Sequence, residues 1–326
     1  MCDLIQIIKK QWFLVSLVLI FTAVIFDRSD SLAKLGIAMK NNHGPDFIIF
    51  IIFIFSGLLI ESNQIIAGIK DIKSTVLALA VIIIFAPMAA LLLSVFPMDT
   101  GVTIGLFIVA VMPTTLSSGI VMTGAAGGNM AHALFVTILS NFIGIFTIPV
   151  ILSILLAFLN QGKELAIDQG AIISKLILLV CFPLAIGIVA KAKFFRANQL
   201  AKFKLQIANQ CLIIVVVFIS LGGAKEVLSG KGAVFFNILI LVFTFHLMLL
   251  GFSFLLVKIF KVKQGHYESI IFMGSQKTLA LAVVIQVTYF SEFGIALLVC
   301  VIHHIVHLMM DGYLSTKMNH DLSLKK

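Results

Sequence analysis

Two short polar interruptions stand inside otherwise apolar runs: Met112-Pro113-Thr114-Thr115-Leu116-Ser117-Ser118-Gly119 and Met273-Gly274-Ser275-Gln276-Lys277-Thr278. They begin 161 residues apart in a chain of 326, close to half its length. Pro113 has no backbone N–H and Gly274 weakens a helix, while the Ser and Thr hydroxyls offer local partners to the freed backbone groups. Each segment therefore reads as a break in a helix. A pair of broken helices aims dipole ends and freed backbone groups at one place, where they hold an ion or a small charged molecule. Gly, Pro, Ser and Thr also serve simply to pack apolar helices together, but their recurrence at matching places in the two halves favours the binding reading. The expected binding residues are Thr114, Thr115, Ser117, Ser118, Gln276, Lys277 and Thr278 in the breaks, with Thr137, Ser140 and Asn141 on the apolar run that follows the first break.

Lys277 is the one basic residue of 23 that falls deep inside an apolar run. An ammonium at the centre of a bilayer costs about 2.5–3.5 kcal/mol on insertion scales, so it is rarely placed there without a use. The functional reading is a fixed positive charge at the meeting of the breaks, facing an anionic substrate; a desolvated lysine can also carry a coupled proton. The plainer alternative is a lysine that snorkels to the interface. Further along, His303 or His304, His307 and Asp311 share one helical face. That spacing suits a metal only poorly, because the glutamate of a helix-borne His-Glu-x-x-His motif is missing, so the expectation is a polar stripe facing neighbouring helices rather than a proton relay. His132 and His246 stand singly on apolar helices and read as hydrogen-bonded packing residues. Glu61, Asn63 and Gln64 read as a solvated helix end, and Asn129 and Asn141 flank Thr137.

These residues are positioned by a chain that is 61% hydrophobic and 11% charged, far from the balance of soluble domains. Apolar runs near 12–26, 47–60, 74–96, 101–124, 131–158, 170–190, 206–224, 233–257, 268–290 and 293–314 give ten expected membrane spans. Lys9 and Lys10 before the first run imitate a signal peptide, but no small-residue cleavage site follows, so the run is kept as span 1. The scattered Cys2, Cys181, Cys211 and Cys300 form neither a zinc spacing nor a disulfide framework. With the N-terminus in the cytoplasm, fifteen Lys and Arg residues fall in inside segments and seven in outside segments. The net charge of +9 thus reports topology, with both termini expected in the cytoplasm and the chain in the plasma (inner) membrane, and not a nucleic-acid partner. The fold expected is an all-α polytopic membrane protein of two inverted five-helix repeats, residues 1–160 and 161–326, with broken helices crossing in spans 4 and 9.

With ten spans in this order, Phe55-Ser56-Gly57-Leu58-Leu59 closing span 2, the breaks at Pro113–Gly119 and Gly274–Thr278, and Ile302-His303-His304 in the last span, the chain resembles the bile acid:sodium symporter family, in particular its divergent symporter-like branch. The resemblance covers nearly the whole chain. It implies a panel domain from spans 1, 2, 6 and 7 and a core domain from spans 3–5 and 8–10. It also exposes departures. Where typical members end the span 4 break in Ser-Asn, this chain reads Ser118-Gly119; where they carry a glutamate four residues before the span 9 glutamine, it has Phe272; and no glutamine precedes Pro87. A hard cation needs several oxygen ligands, and two or three are missing. Ser117, Ser118, Thr137, Ser140 and Gln276 remain, enough for one weak ion site but hardly two.

Three functions compete at this level. The first is alternating-access transport of a small organic anion, with weak or no sodium coupling and with sodium or a proton as the coupling ion. The second is a non-transporting sensor or regulator derived from a transporter. The third is an intramembrane enzyme built on the histidines of the last span; the spans hold no paired carboxylates and no Ser/His/Asp set, which argues against it.

Overall fold

The structure is a computed structural model that describes residues 12–60, 71–115, 117–159, 168–194, 199–228 and 232–323. Glu61, Asn63 and Gln64 lie outside the described residues, as do several of the basic residues in the charge count, among them Lys9, Lys10, Lys70, Lys163 and Arg196. All regular structure among the described residues is helical. In chain order the helices are α1 (Trp12–Phe26), α2 (Ser31–Asn41), α3 (Gly44–Leu59), α4 (Ile72–Leu93), α5 (Thr100–Val111), α6 (Ser118–Ala125), α7 (Met130–Leu159), α8 (residues 169–194), α9 (Gln199–Leu228), α10 (Gly232–Ile259), α11 (Tyr267–Ser275), α12 (Leu279–Tyr289) and α13 (Gly294–Ser323). Seven stretches among the described residues are long and apolar enough to cross a bilayer, or eight if the bent pair α2–α3 is one span; α1 and α5 contain shorter apolar helices.

Large apolar side chains such as Leu19, Ile72, Phe96, Phe142, Phe158, Leu178 and Phe236 point outward. Apolar surface on that scale is a liability in water and the normal condition in lipid. Charged contacts gather instead at helix ends: Lys175 pairs with Asp46 at 2.7 Å, and Asp71 meets His266 at 2.6 Å while Lys73 Nζ donates to the Phe260 carbonyl at 2.7 Å. Asp71 caps α4 by accepting from the Ser74 amide. Burial pushes its carboxyl up, but hydrogen bonds from Ser74 and His266 outweigh this and hold it below its usual value. The molecule is a multi-pass membrane protein.

The segment between spans 1 and 2, expected as a loop, contains α2. The Asp27 carboxylate accepts from the Ser29 and Leu32 amides at 2.9 Å, starting the helix, and the small Ala33 and Gly36 let it lie on α9, where a Cβ on Gly36 would come within 3.3 Å of the Gly222 Cα. The chain turns 74° into α3 at His43, which adopts the left-handed conformation, with Pro45 in the first turn of α3. A second glycine pair, Gly57 and Gly187, brings α3 against α8 so closely that a Cβ on either would strike the other helix's backbone. The final helix runs on to Ser323, well beyond the expected end near 314.

Two helices carry a π-turn immediately before a proline: Val81–Phe85 before Pro87 in α4 and Ile177–Cys181 before Pro183 in α8. Proline supplies no N–H and its ring crowds the carbonyl four residues earlier, and a widened turn relieves the clash. The elements nearest the centre are α11–α12 and α13. The most apolar stretch of Tyr267–Tyr289 is 94% buried and that of Gly294–Asn319 78%, against 33% for Gln169–Lys191, so the second break is enclosed by other helices rather than by lipid.

Candidate functional site

The breaks sit where the composition requires. α5 ends at Val111, residues 112–115 and 117 run non-helically, and α6 starts at Ser118. α11 ends at Ser275, Gln276 and Thr278 are extended, and α12 starts at Leu279. The two breaks touch. The Thr278 amide donates to the Pro113 carbonyl at 2.9 Å, and the Thr115 hydroxyl donates to Gln276 Oε1 at 2.8 Å. The Ser118 hydroxyl lies 2.8 Å from the same Oε1 and 2.9 Å from Thr115 Oγ1, so its single proton serves one of them at a time. Gly119 makes room for this: a Cβ there would come within 2.8 Å of Met273 Sδ and 3.3 Å of Gln276 Oε1. An asparagine at this position, as the family pattern has it, would require the flexible end of the Met273 side chain to move aside.

Lys277 points inward and is only 2% exposed, which rules out snorkelling in this conformation. Its ammonium donates to three backbone carbonyls: Ile82 at 3.0 Å, Ala110 at 3.0 Å and Met112 at 2.9 Å. Each acceptor is available for a physical reason. Ala110 and Met112 lie at the C-terminal end of α5, where helix carbonyls lack intrahelical partners and the dipole favours a cation. Ile82 lies in the π-turn: the Ala86 amide that would bond it in an α-helix bonds Val81 instead, and the π-partner position is Pro87, which has no N–H. Three donors meet three acceptors, so the ammonium is saturated within the protein.

The second-half break also connects to the histidine-bearing helix. Gln276 Nε2 donates to Asp311 Oδ2 at 2.8 Å and lies 2.9 Å from Met122 Sδ. Asp311 Oδ1 is 2.9 Å from His246 Nε2, and both side chains are fully buried. His307 Nε2 bonds His304 Nδ1 at 2.9 Å, and the His246, His303 and His307 rings pack against one another as a triangle, with His246 5.8 Å from each of the other two and those two 5.3 Å apart. The stripe on α13 therefore faces the interior, as expected, and His246, expected as a hydrogen-bonded packing residue, has Asp311 as its partner. Among the described residues no group of three or more His, Cys, Asp or Glu side chains is arranged to hold a metal ion.

The remaining expected residues divide. Thr137 donates to Ala133 O at 2.9 Å and lies 3.3 Å from Thr115 O, and Asn141 Nδ2 bonds Thr137 O at 2.8 Å and reaches Thr114 O at 3.4 Å, so both brace the backbone of the first break from α7. Ser140 bonds Thr137 O in its own helix, and Asn129 caps α7 through the His132 amide. Ser117 is exposed and its side chain makes no capping bond. Thr114 Oγ1 and Asn141 Oδ1 are buried without partners among the described residues, two oxygens at the break with hydrogen-bonding capacity to spare. His132, like His246, is networked, to Thr75 at 3.0 Å and Ser269 at 2.7 Å. Sequence reasoning missed the carbonyl cage and the His246–Asp311 link; Pro87 was the one available signal for the first.

Residues 11–320 match the model of the SBF-like CPA transporter family. The chain is 31% identical over 280 residues to the probable sodium/metabolite cotransporter BASS4, chloroplastic, of Arabidopsis thaliana, an overlap of 81% of this chain and 63% of that protein. It is 26% identical over 286 residues to the protein of the same description from Oryza sativa subsp. japonica, covering 81% and 66%. With the sodium/bile acid cotransporter 7-B of Xenopus laevis it shares 24% over 220 residues, covering 66% and 62%. The chain spans a little under two thirds of the length of these relatives. Matched by the family model over nearly its whole length, the chain belongs to the SBF-like CPA transporter family, within the bile acid:sodium symporter group that its motifs resemble.

Proposed function

We propose that this protein is a secondary transporter of a small organic anion, working by alternating access about the two breaks, with the Lys277 ammonium supplying the fixed positive charge that a bound cation would bring. The observation that carries the reading is the cage of Ile82, Ala110 and Met112 carbonyls around Lys277 Nζ. A cation held by helix-end carbonyls beside broken helices is the arrangement expected of an ion site, and here the cation is covalently part of the chain. Its charge acts on a substrate through the field at the breaks and not by direct contact, since all three N–H groups are engaged. The relatives named for metabolite and bile acid cotransport support an organic anion as the cargo. Their names include sodium; the proposal for this chain is weak or no sodium coupling, because Gln276 Oε1 already accepts protein hydroxyls and Gly119 offers no side-chain oxygen. Rocking of a core of spans 3–5 and 8–10 against a panel of spans 1, 2, 6 and 7, related as inverted repeats with both termini cytoplasmic, is part of the same proposal.

Uptake of labelled organic anions into proteoliposomes tests it. Ser118→Ala, which removes one hydroxyl from the junction of the breaks, should lower uptake several-fold with little loss of stability. Ser153→Ala is the control: its hydroxyl bonds the Pro149 carbonyl in its own helix and receives Gln169 Nε2, far from the breaks, and uptake should be unchanged. Normal transport by Ser118→Ala alongside a defective Ser153→Ala would move the site elsewhere.

A further inference from the structure

We propose that His246 and Asp311 form a buried proton-binding site, with the proton taken at His246 Nδ1 and its presence transmitted to the breaks through Gln276. The coupling half of this rests on the transport reading above; the proton site does not.

The geometry fixes the chemistry. Asp311, fully buried, receives Gln276 Nε2 on one oxygen and faces His246 Nε2 on the other. A carboxylate only accepts, so the proton of the neutral His246 ring sits on Nε2 and Nδ1 carries the lone pair. That Nδ1 is buried and unpartnered among the described residues. A base backed by a carboxylate is thus left open on its far side. Protonation forms one N–H bond at Nδ1 and leaves a water where a hydronium delivered the proton; the Nε2–H bond to Asp311 persists and the pair becomes imidazolium–carboxylate, the form in which two buried charges are mutually satisfied.

The surroundings set the stoichiometry and the route. α13 presents His303, His304 and His307 beside Asp311, and the second break presents Lys277. Of the other charged groups on the packed elements, Glu268 on α11 accepts from the Gly265 amide on one oxygen while its second oxygen is buried without a partner among the described residues, Asp71 of α4 meets His266, Lys73 bonds Phe260 O, and Lys258 of α10 and Lys317 of α13 are exposed. His303 Nε2 and His307 Nδ1 are also buried and, among the described residues, unpartnered, so the rings offer successive resting places for one proton, while their closeness and the Lys277 charge oppose a second. His304, bonded to His307 and edge-on to Phe13 of α1, is the most exposed of them and the natural entrance. With neutral rings, Lys277 and Asp311 cancel. An organic anion entering the breaks adds a negative charge to a low-dielectric interior, and one proton on His246 offsets it. The cargo and the proton should therefore travel together.

The test of the site needs no substrate. In ring-15N-histidine, side-chain-carboxyl-13C-aspartate protein in lipid nanodiscs, His246 is the ring within reach of an Asp carboxyl through Nε2; the other described His–Asp pair, His266 with Asp71, meets through Nδ1, so the two are told apart in the unmutated chain. Across samples prepared from about pH 8 to about pH 5, the His246 resonance should show the Nε2–H tautomer in the alkaline samples and a second proton at Nδ1 in the acidified ones, and it should be absent from His246→Gln. A ring that stays neutral through that range, or that holds its proton on Nδ1, overturns the site. In sodium-free proteoliposomes, an inward pH gradient should accumulate labelled taurocholate or labelled lactate above the level reached by exchange alone. Exchange without accumulation overturns the coupling. Absence of any exchange overturns the transport reading and the coupling with it, and the ring titration still decides the site.

Discussion

Lys277→Gln should reduce organic-anion uptake by at least about tenfold, the equivalent of about 1.4 kcal/mol, while the protein still reaches the membrane. Three charge-assisted hydrogen bonds, each contributing about 1.5–3 kcal/mol, converge on the ammonium. A glutamine amide has two N–H groups, lies on a shorter stem and brings no charge. At least one of the Ile82, Ala110 and Met112 carbonyls is then left buried without a donor, and the end of α5 loses the cation that faces its dipole. Lys277→Arg should not rescue the loss. Its planar fork suits carboxylates and phosphates, whereas this cage is three carbonyls gathered around a compact point charge. Full uptake by Lys277→Gln would show that the ammonium is peripheral to function, whatever it does for packing.

Gln276→Leu is expected to be the most destabilising single change at the junction. The side chain receives Thr115 and Ser118 on its oxygen and donates to Asp311 from its nitrogen, so it ties the first break, the second break and α13 together. Leucine of similar size fills the space, and Ser118 can fall back on Thr115, but the Thr115 hydroxyl proton and one oxygen of a fully buried carboxylate lose their partner. Breaking a buried charged network in this way costs about 3–5 kcal/mol, which corresponds to a fall in Tm on the order of 10 °C for a chain of this size. Thermal unfolding in detergent, followed by tryptophan fluorescence or by size-exclusion after heating, measures it. An unchanged Tm would mean that the three elements are held by packing alone and that the polar junction is free to rearrange.

The breaks were legible because Pro113, Gly274 and a run of small hydroxyl residues contradict the apolar segments around them, and no other local arrangement relieves that conflict. Lys277 was legible for the same reason, since a charge among apolar neighbours demands an account. Its cage was not. The Ile82 carbonyl is freed by a widened turn whose cause, Pro87, stands five residues away, and the identity of an apolar residue says nothing about its carbonyl. Helix α2 escaped notice because its buried face is made of Ala33 and Gly36, too small to register as an apolar stripe. His246 looked solitary because its partner lies 65 residues along the chain. Residue type groups Ser117 with its neighbours, but its exposure at the start of α6, without a capping bond, is something composition does not fix. Local conflicts in a sequence mark where a site is, and contacts between distant elements decide how it is wired.

The central claim is that a tethered ammonium does the work of an exchangeable cation, and it is tested most directly by uptake of a labelled organic anion into proteoliposomes with all sodium replaced by choline. The protein should transport as well in choline as in sodium, and Lys277→Gln should fail in both. Uptake that collapses in choline, together with a Lys277→Gln protein that remains active in sodium, would contradict the account.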